Sequence, residues 1–242
     1  MRIYQLLIGL LSIIVSLSEL TGEDQSPKEH KVPEAFVDIK QFIPSIHLEL
    51  RYYGTNNFVG LPIDGYTSPN CWVTKPAAEN LKRIQDEIKT FGLGLKIFDA
   101  YRPQQAVDHF VRWIEHPDDQ TQKTLFYPNL DKTRLIKDGY IAERSGHSRG
   151  GALDLTLVEL PTKNGEPARE LDMGTPFDFF GPESWTAHPK LTPQQRRNRL
   201  LLKSVMERHG FRNYSKEWWH FSLRNEPFPE TYFNFPTGAT KE

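Results

Sequence analysis

Apolar positions change their spacing several times along the chain, and each change predicts an element. From Ala77 through Leu81, Ile84 and Ile88 they form one helical stripe. Thr74 stands where an N-cap belongs and Pro76 suits the first turn, so a helix is predicted to begin there and to end at Gly92 or Gly94. Residues 95–99 then read as a buried strand. Tyr101-Arg102-Pro103 breaks that strand and opens a second helix with Ala106, Val107, Phe110, Val111 and Ile114 on its apolar face; His116-Pro117 stops it. A third helix begins at Thr192-Pro193, carries Leu200, Leu201, Val205 and Met206, and ends near Gly210.

The strand signals are shorter. Residues 36–53 include Val37, Ile39, Leu48, Leu50 and Tyr52, with alternation after Ser45, which predicts a strand entering the site region. Residues 152–158 carry Ala152 and the β-branched Thr156 and Val158, and residues 219–223 form a last strand. Between these lie a loop rich in Gly, Pro, Asn and Asp at 56–69, a polar stretch at 117–139 with a short helix near 132–137, and a long loop at 159–190. The aromatic, proline-rich C-terminus is expected to pack across the surface. Strands and helices do not alternate as regular βαβ units. A single α+β domain with a mainly antiparallel sheet flanked by helices is the predicted class.

The N-terminus follows a different pattern. Arg2 precedes an apolar run from Leu6 to Leu17, and small residues continue at Ser18 and Gly22. This is the layout of a secretory signal peptide at residues 1–22; its apolar run is shorter than the about 20 residues of a typical membrane span, and an uncleaved anchor is the alternative reading. No stable membrane span is expected once it is removed, and the protein is expected to be exported, periplasmic or secreted. Residues 23–35 read as a linker and 36–242 as the domain. The 242 residues suit one substantial core, and a net charge of -1 gives no electrostatic case for nucleic acid as a partner. Arg196, Arg197 and Arg199 read as a solvated helix face. Cys71 is the sole cysteine, which excludes an intrachain disulfide; it reads as a small buried apolar residue.

The candidate chemistry lies in Ser145-Gly-His147-Ser-Arg-Gly150-Gly-Ala-Leu-Asp154 and Glu217-Trp-Trp-His220. A catalytic zinc ion needs three protein ligands, an open position for water and a base beside it. His147, Asp154 and His220 supply the ligand types, and Glu217 supplies the base. Gly150-Gly151 disfavours a helix, so His147 is expected before a strand and Asp154 within it, with the glycines letting the backbone pass close to the metal. Glu217 and His220, three apart, point to opposite faces on a strand but can converge on a helix or irregular turn; a loop-to-strand junction is expected at Trp218, where the two tryptophans supply apolar walls. Two neutral histidines and one aspartate leave a zinc site with a charge of about +1, enough to acidify bound water. Arg102 is the candidate cation for an oxyanion, and Asp99, three residues earlier, is placed to orient it.

These residues resemble the zinc D-alanyl-D-alanine dipeptidases of the VanX type. The resemblance extends through Arg51-Tyr52-Tyr53-Gly-Thr-Asn-Asn57-Phe58-Val-Gly60, Asp99-Ala-Tyr-Arg102-Pro, Met173-Gly174, Phe177-Asp178 and Phe233-x-Phe235, over nearly all of residues 36–236. It implies one Zn2+ at His147, Asp154 and His220, Glu217 as general base and Arg102 as transition-state cation. It implies that Ser145, Tyr52 and Asp178 line a pocket for a small dipeptide, Asp178 meeting the ammonium and Ser145 the carboxylate. An exported enzyme meets dipeptide outside the cytoplasm, which points to wall turnover or peptide scavenging. Two other readings share the motif: a peptidoglycan carboxypeptidase or endopeptidase with an open groove, and a non-catalytic zinc domain binding wall peptides. The latter has no need of Glu217 or Arg102.

Overall fold

The computed structural model describes residues 31–161 and 166–241. The expected signal peptide and most of the expected linker lie outside the described residues. The elements are β1 (Phe36–Asp38), α1 (Ile39–Phe42), β2 (His47–Leu48), β3 (Trp72–Thr74), α2 (Lys75–Lys89), β4 (Leu93–Asp99), α3 (Gln104–Ile114), α4 (Lys123–Phe126), β5 (Ala152–Glu159), β6 (Arg169–Glu170), α5 (Pro193–Arg208), β7 (Phe211–Asn213) and β8 (His220–Leu223). The principal sheet has six strands in the order β2-β4-β5-β8-β7, with β6 pairing the far end of β5. The β2–β4 pair is parallel and the others are antiparallel. The α+β class with a mainly antiparallel sheet is therefore what the chain forms.

The expected strand across 36–53 is broken. Asp38 accepts hydrogen bonds from the Lys40 and Gln41 amides and caps a helical turn. Ile39 on that turn and Ile43 and Ile46 just beyond it are buried, so the apolar residues serve a helical turn and the bend after it before β2 resumes extended pairing. Thr74 does occupy the N-cap of α2, but its side chain makes no capping bond; its amide donates instead to the Gly150 carbonyl. Strand β3 and the turn before β5 thus share that residue.

Helix α5 buries a different face from the one its leucines predict. Leu200 and Leu201 are exposed, while Asn198, Arg199, Leu202, Val205 and Met206 face inward at helical spacing. Arg199, expected on a solvated face, is only 1% exposed. It donates through Nε to the Met173 carbonyl and through a terminal nitrogen to the Trp185 carbonyl, both at 2.6 Å. Burial pulls its pKa down to about 10. Asn198 donates to the Asp172 carbonyl at 2.8 Å. Together they hold both ends of the loop that carries Asp178. Cys71 is buried, as expected.

A second apolar cluster clamps the back of the site. Phe36, Trp72, Tyr101 and Phe235 pack with Val32, Ala239 and the partly buried Phe228 and Phe233. Tyr101 stacks on Phe235 at 4.1 Å between centroids and donates its hydroxyl proton to the Phe235 carbonyl at 2.9 Å. The Phe233 amide donates to Ser148, and the Gln104 amide to Phe233. The C-terminal segment is therefore a packed component that fastens the start of α3 to the turn bearing His147. Val32, near the end of the expected linker, is buried here and donates its amide proton to Thr240.

Replacing Arg199 by alanine should lower the unfolding free energy by about 2–4 kcal/mol, because two buried carbonyls lose charged donors. Arg196→Ala and Arg197→Ala, both on the exposed face, should stay within about 0.5 kcal/mol. Urea titration of all three variants checks the contrast.

Candidate metal centre

Antiparallel register explains how residues far apart in sequence meet. Asp154 in β5 lies directly opposite Asp99 of β4 on one side and His220 of β8 on the other. A bulge between Ile97 and Asp99 sets this pairing. His147 enters from the 3-10 turn Gly146–Arg149, which leads into β5. Gly150 ends the turn at φ 75°, and a Cβ there would sit 2.3 Å from the Phe36 ring. The glycine pair was expected to admit the backbone to the metal; Gly150 instead makes room for the aromatic cluster.

His147 Nε2, Asp154 Oδ1 and His220 Nδ1 converge, with separations of 3.2 Å between the imidazoles, 3.4 Å from His147 to Asp154 and 3.0 Å from His220 to Asp154. Tetrahedral coordination at bond lengths of about 2.0–2.1 Å spaces ligand atoms by about 3.3 Å. The outward ring nitrogens also have partners. His147 Nδ1 donates to the Ala100 carbonyl at 2.7 Å, which leaves a lone pair on Nε2. His220 Nε2 lies 3.3 Å from Ser222 Oγ, which leaves Nδ1 facing inward. Donor types, spacing and the His147 tautomer fit a divalent ion.

The charge balance fits one too. Asp99, Asp154, Asp178 and Glu217 are buried carboxylates, and Arg102 is the guanidinium among them. Arg102 donates to Asp99 at 2.9 Å and reaches Asp154 at 3.4 Å, so it bridges the like charges that the register places opposite each other. Its guanidinium carbon sits 4.9 Å from the Tyr52 ring and 5.2 Å from Phe110. Burial, then the charges of Asp154 and Asp178, push the Glu217 carboxyl well above its usual range. Burial and Asp154 do the same to Asp178. Although burial opposes it, His147 and His220 hold Asp154 well below that range. Burial lowers the pKa of His220, against the pull of Asp154. A dication inserted among these groups would draw the raised carboxyls back towards ionisation.

Glu217 lies in the turn before β8, its Oε2 3.9 Å from His220 Nδ1. The expected loop-to-strand junction is there, but the tryptophans divide their roles. Trp219 lines the cavity, whereas Trp218 donates its indole proton to Thr175 at 2.9 Å on the other side. Tyr52 donates to Asp178 at 2.9 Å. Asp178 is 4% exposed, with a left-handed φ of 61°. Ser145 caps the 3-10 turn, its Oγ accepting from the His147 amide at 3.2 Å. Tyr52, Arg102, Ser145, His147, Asp154, Asp178, Glu217 and His220 all line one cavity of about 290 Å³. That is at the small end of ligand sites, which run to roughly 1,000 Å³.

The described chain and a known family coincide. Residues 33–238 match the family model for D-ala-D-ala dipeptidase, Peptidase_M15. The chain belongs to the D-ala-D-ala dipeptidase family. The D-alanyl-D-alanine dipeptidase of Enterococcus faecium is 39% identical over 201 residues, 83% of this chain and 97% of that protein. The protein of that name from Streptomyces coelicolor is 41% identical over 202 residues, 84% of this chain and 96% of its own length. The Escherichia coli one is 36% identical over 187 residues, 77% and 83% of the two chains.

Several groups at this dipeptidase-family site escaped the sequence reading. Tyr66 donates to Asp99 at 2.6 Å from a segment legible only as loop. Tyr140, Arg144 and Tyr214 line the cavity from irregular segments without periodicity. The Ala100 carbonyl is a backbone partner and has no side-chain signature.

His220→Ala should weaken zinc binding by at least roughly two orders of magnitude, more than loss of an outer hydrogen-bond partner typically costs. Glu217→Gln should bind zinc as the native protein does. Metal content after dialysis against graded chelator measures both.

Proposed function

We propose that this protein is a zinc-dependent dipeptidase that hydrolyses D-alanyl-D-alanine to two D-alanines, with one zinc ion held by His147, Asp154 and His220. The observation that carries the reading is the enclosure of a metal-donor triad, an adjacent unliganded glutamate and a tyrosine-held aspartate in one small cavity. The D-alanyl-D-alanine dipeptidase names of relatives matched over most of their length support the substrate.

Zinc, when bound, supplies a Lewis-acid charge beside the scissile carbonyl and acidifies water towards a pKa of about 7. Glu217 takes a proton from the attacking water as its oxygen bonds to the carbonyl carbon. Glu217 then returns that proton to the departing nitrogen as the C–N bond breaks, so one water is consumed and two amino acids leave. Arg102 faces the carbonyl oxygen as negative charge develops there. Asp99 and Asp154 fix the guanidinium in advance, so little reorganisation is needed. Asp178 receives the substrate ammonium, with Tyr52 holding its carboxylate in place. Ser145 offers a hydroxyl to the substrate carboxylate. A cavity of this size suits a dipeptide, and a longer chain would clash or bury an unpaired group.

The signal-like segment at residues 1–22 supports export, so we place the activity in the periplasm or medium, in wall turnover or peptide scavenging.

Glu217→Ala should reduce kcat by roughly 10²–10⁴-fold while retaining zinc. Arg102→Ala should lower kcat more than it raises KM. Steady-state kinetics on D-alanyl-D-alanine, run beside a pentapeptide stem, test the reading. Cleavage of the stem without the free dipeptide would overturn it in favour of a carboxypeptidase.

A further inference from the structure

The substrate proposed above is a zwitterion, and its two ends make opposite demands. Asp178 answers the ammonium. The carboxylate must enter a cavity already lined by Asp154, Asp178 and Glu217. A hydroxyl alone compensates poorly for a buried negative charge, so Ser145, whose Oγ accepts from the His147 amide and keeps its own O–H to donate, does not suffice. A cation is needed, and the cavity wall holds Arg102 and Arg144. Arg102 is engaged by Asp99 and Asp154.

Arg144 is placed differently. It is exposed, adjoins Ser145 in sequence, and borders both the cavity and the neighbouring surface groove lined by Gln104, Asp108 and Tyr232. Its guanidinium carbon lies 5.0 Å from the Tyr232 ring, and among the described residues no carboxylate pairs with it. Tyr232 is itself fixed, because Arg149 donates to its hydroxyl at 3.2 Å. The charge of Arg149 is met by Glu226 through bonds of 2.6 and 2.8 Å. An aromatic platform thus holds a free guanidinium at the rim, while the second arginine on that platform is neutralised.

We propose that Arg144 anchors the substrate's C-terminal carboxylate and thereby selects peptides that end at the rim. This rests on the dipeptidase reading. A planar guanidinium meets a carboxylate through two parallel N–H···O bonds, which gives direction as well as charge. The ammonium at Asp178 and the carboxylate at Arg144 then define the two ends of the substrate. The contact is equally present before and during bond cleavage, so it governs KM and leaves kcat nearly alone.

The test compares D-alanyl-D-alanine with its C-terminal amide, on the zinc-loaded wild type, Arg144→Met and Arg144→Lys. Wild type should favour the acid over the amide. Arg144→Met should raise KM for the acid roughly 10- to 100-fold, with kcat within about threefold, and leave the amide unaffected, so that the acid preference collapses. Arg144→Lys, keeping the charge without the fork, should fall between. Thermal melts of the variants confirm that an exposed position has been changed without loss of fold. An acid-to-amide ratio in kcat/KM that is the same in wild type and Arg144→Met overturns the assignment of Arg144 alone. A wild type that favours the acid no more than the amide also overturns it. If wild type cleaves neither compound, the dipeptidase reading falls and Arg144 falls with it.

Discussion

The register of three antiparallel strands is the constraint from which the site follows. Residues directly opposite on neighbouring strands share a face, so Asp99, Asp154 and His220 form one row across β4, β5 and β8. A slip of one residue in β5 would turn Asp154 into the opposite face and replace it with Leu153 or Leu155. Those leucines are fully buried, so a slip would also dismantle the core. The same apolar alternation that stabilises the sheet therefore keeps the candidate metal donors in position.

That row is electrostatically unfavourable by itself. Two carboxylates oppose each other across a buried ladder, and two more approach from loops. Arg102 offsets part of the cost by bridging Asp99 and Asp154, and Tyr66 adds a donor to Asp99. The remaining imbalance is what a bound dication would relieve. Conflict between local preference and the folded arrangement is expected where chemistry is done, and here it is confined to one face of one sheet. The supports lie outside that face: Arg199 holds the Asp178 loop, and the C-terminal aromatics hold the His147 turn.

The legible parts of the sequence were those with a strong period or a dense motif. Helices α2 and α3 follow from stripes such as Ala77-Leu81-Ile84-Ile88, because an amphipathic helix writes its buried face into residue spacing. In α3 the stripe misassigned only the partly buried Val111, Trp113 facing inward instead. The candidate ligands, base and pocket residues brought together in the cavity were visible in motifs, whereas Tyr140, Arg144 and Tyr214 beside them were not. The failures have a common origin in polar groups that compete with hydrophobic pattern. Asp38 captured two amides and turned an apparent strand into a helical turn. Arg199 and Asn198 took the inward positions on α5 because backbone carbonyls of the facing loop needed donors there, which displaced Leu200 and Leu201 outward. Contacts to backbone, such as His147 with Ala100, leave no trace in residue type.

The placement of Glu217 sets the proposed base apart from the proposed ligand of the same chemical kind, Asp154. The three donor atoms lie 3.0–3.4 Å from one another, whereas Glu217 stands off at 3.9 Å from His220. Had the glutamate been two residues from His220 within β8, strand alternation would have put it on the same face and beside the same ion. Coordination would then have consumed the oxygen that accepts a proton in the proposed mechanism. The turn before β8 prevents this. The Glu217 amide donates to Tyr214 and its carbonyl accepts from Asn213, so the backbone is held out of the ladder. The carboxylate is left beside the candidate metal position, yet outside the close spacing of the three donor atoms that could hold an ion.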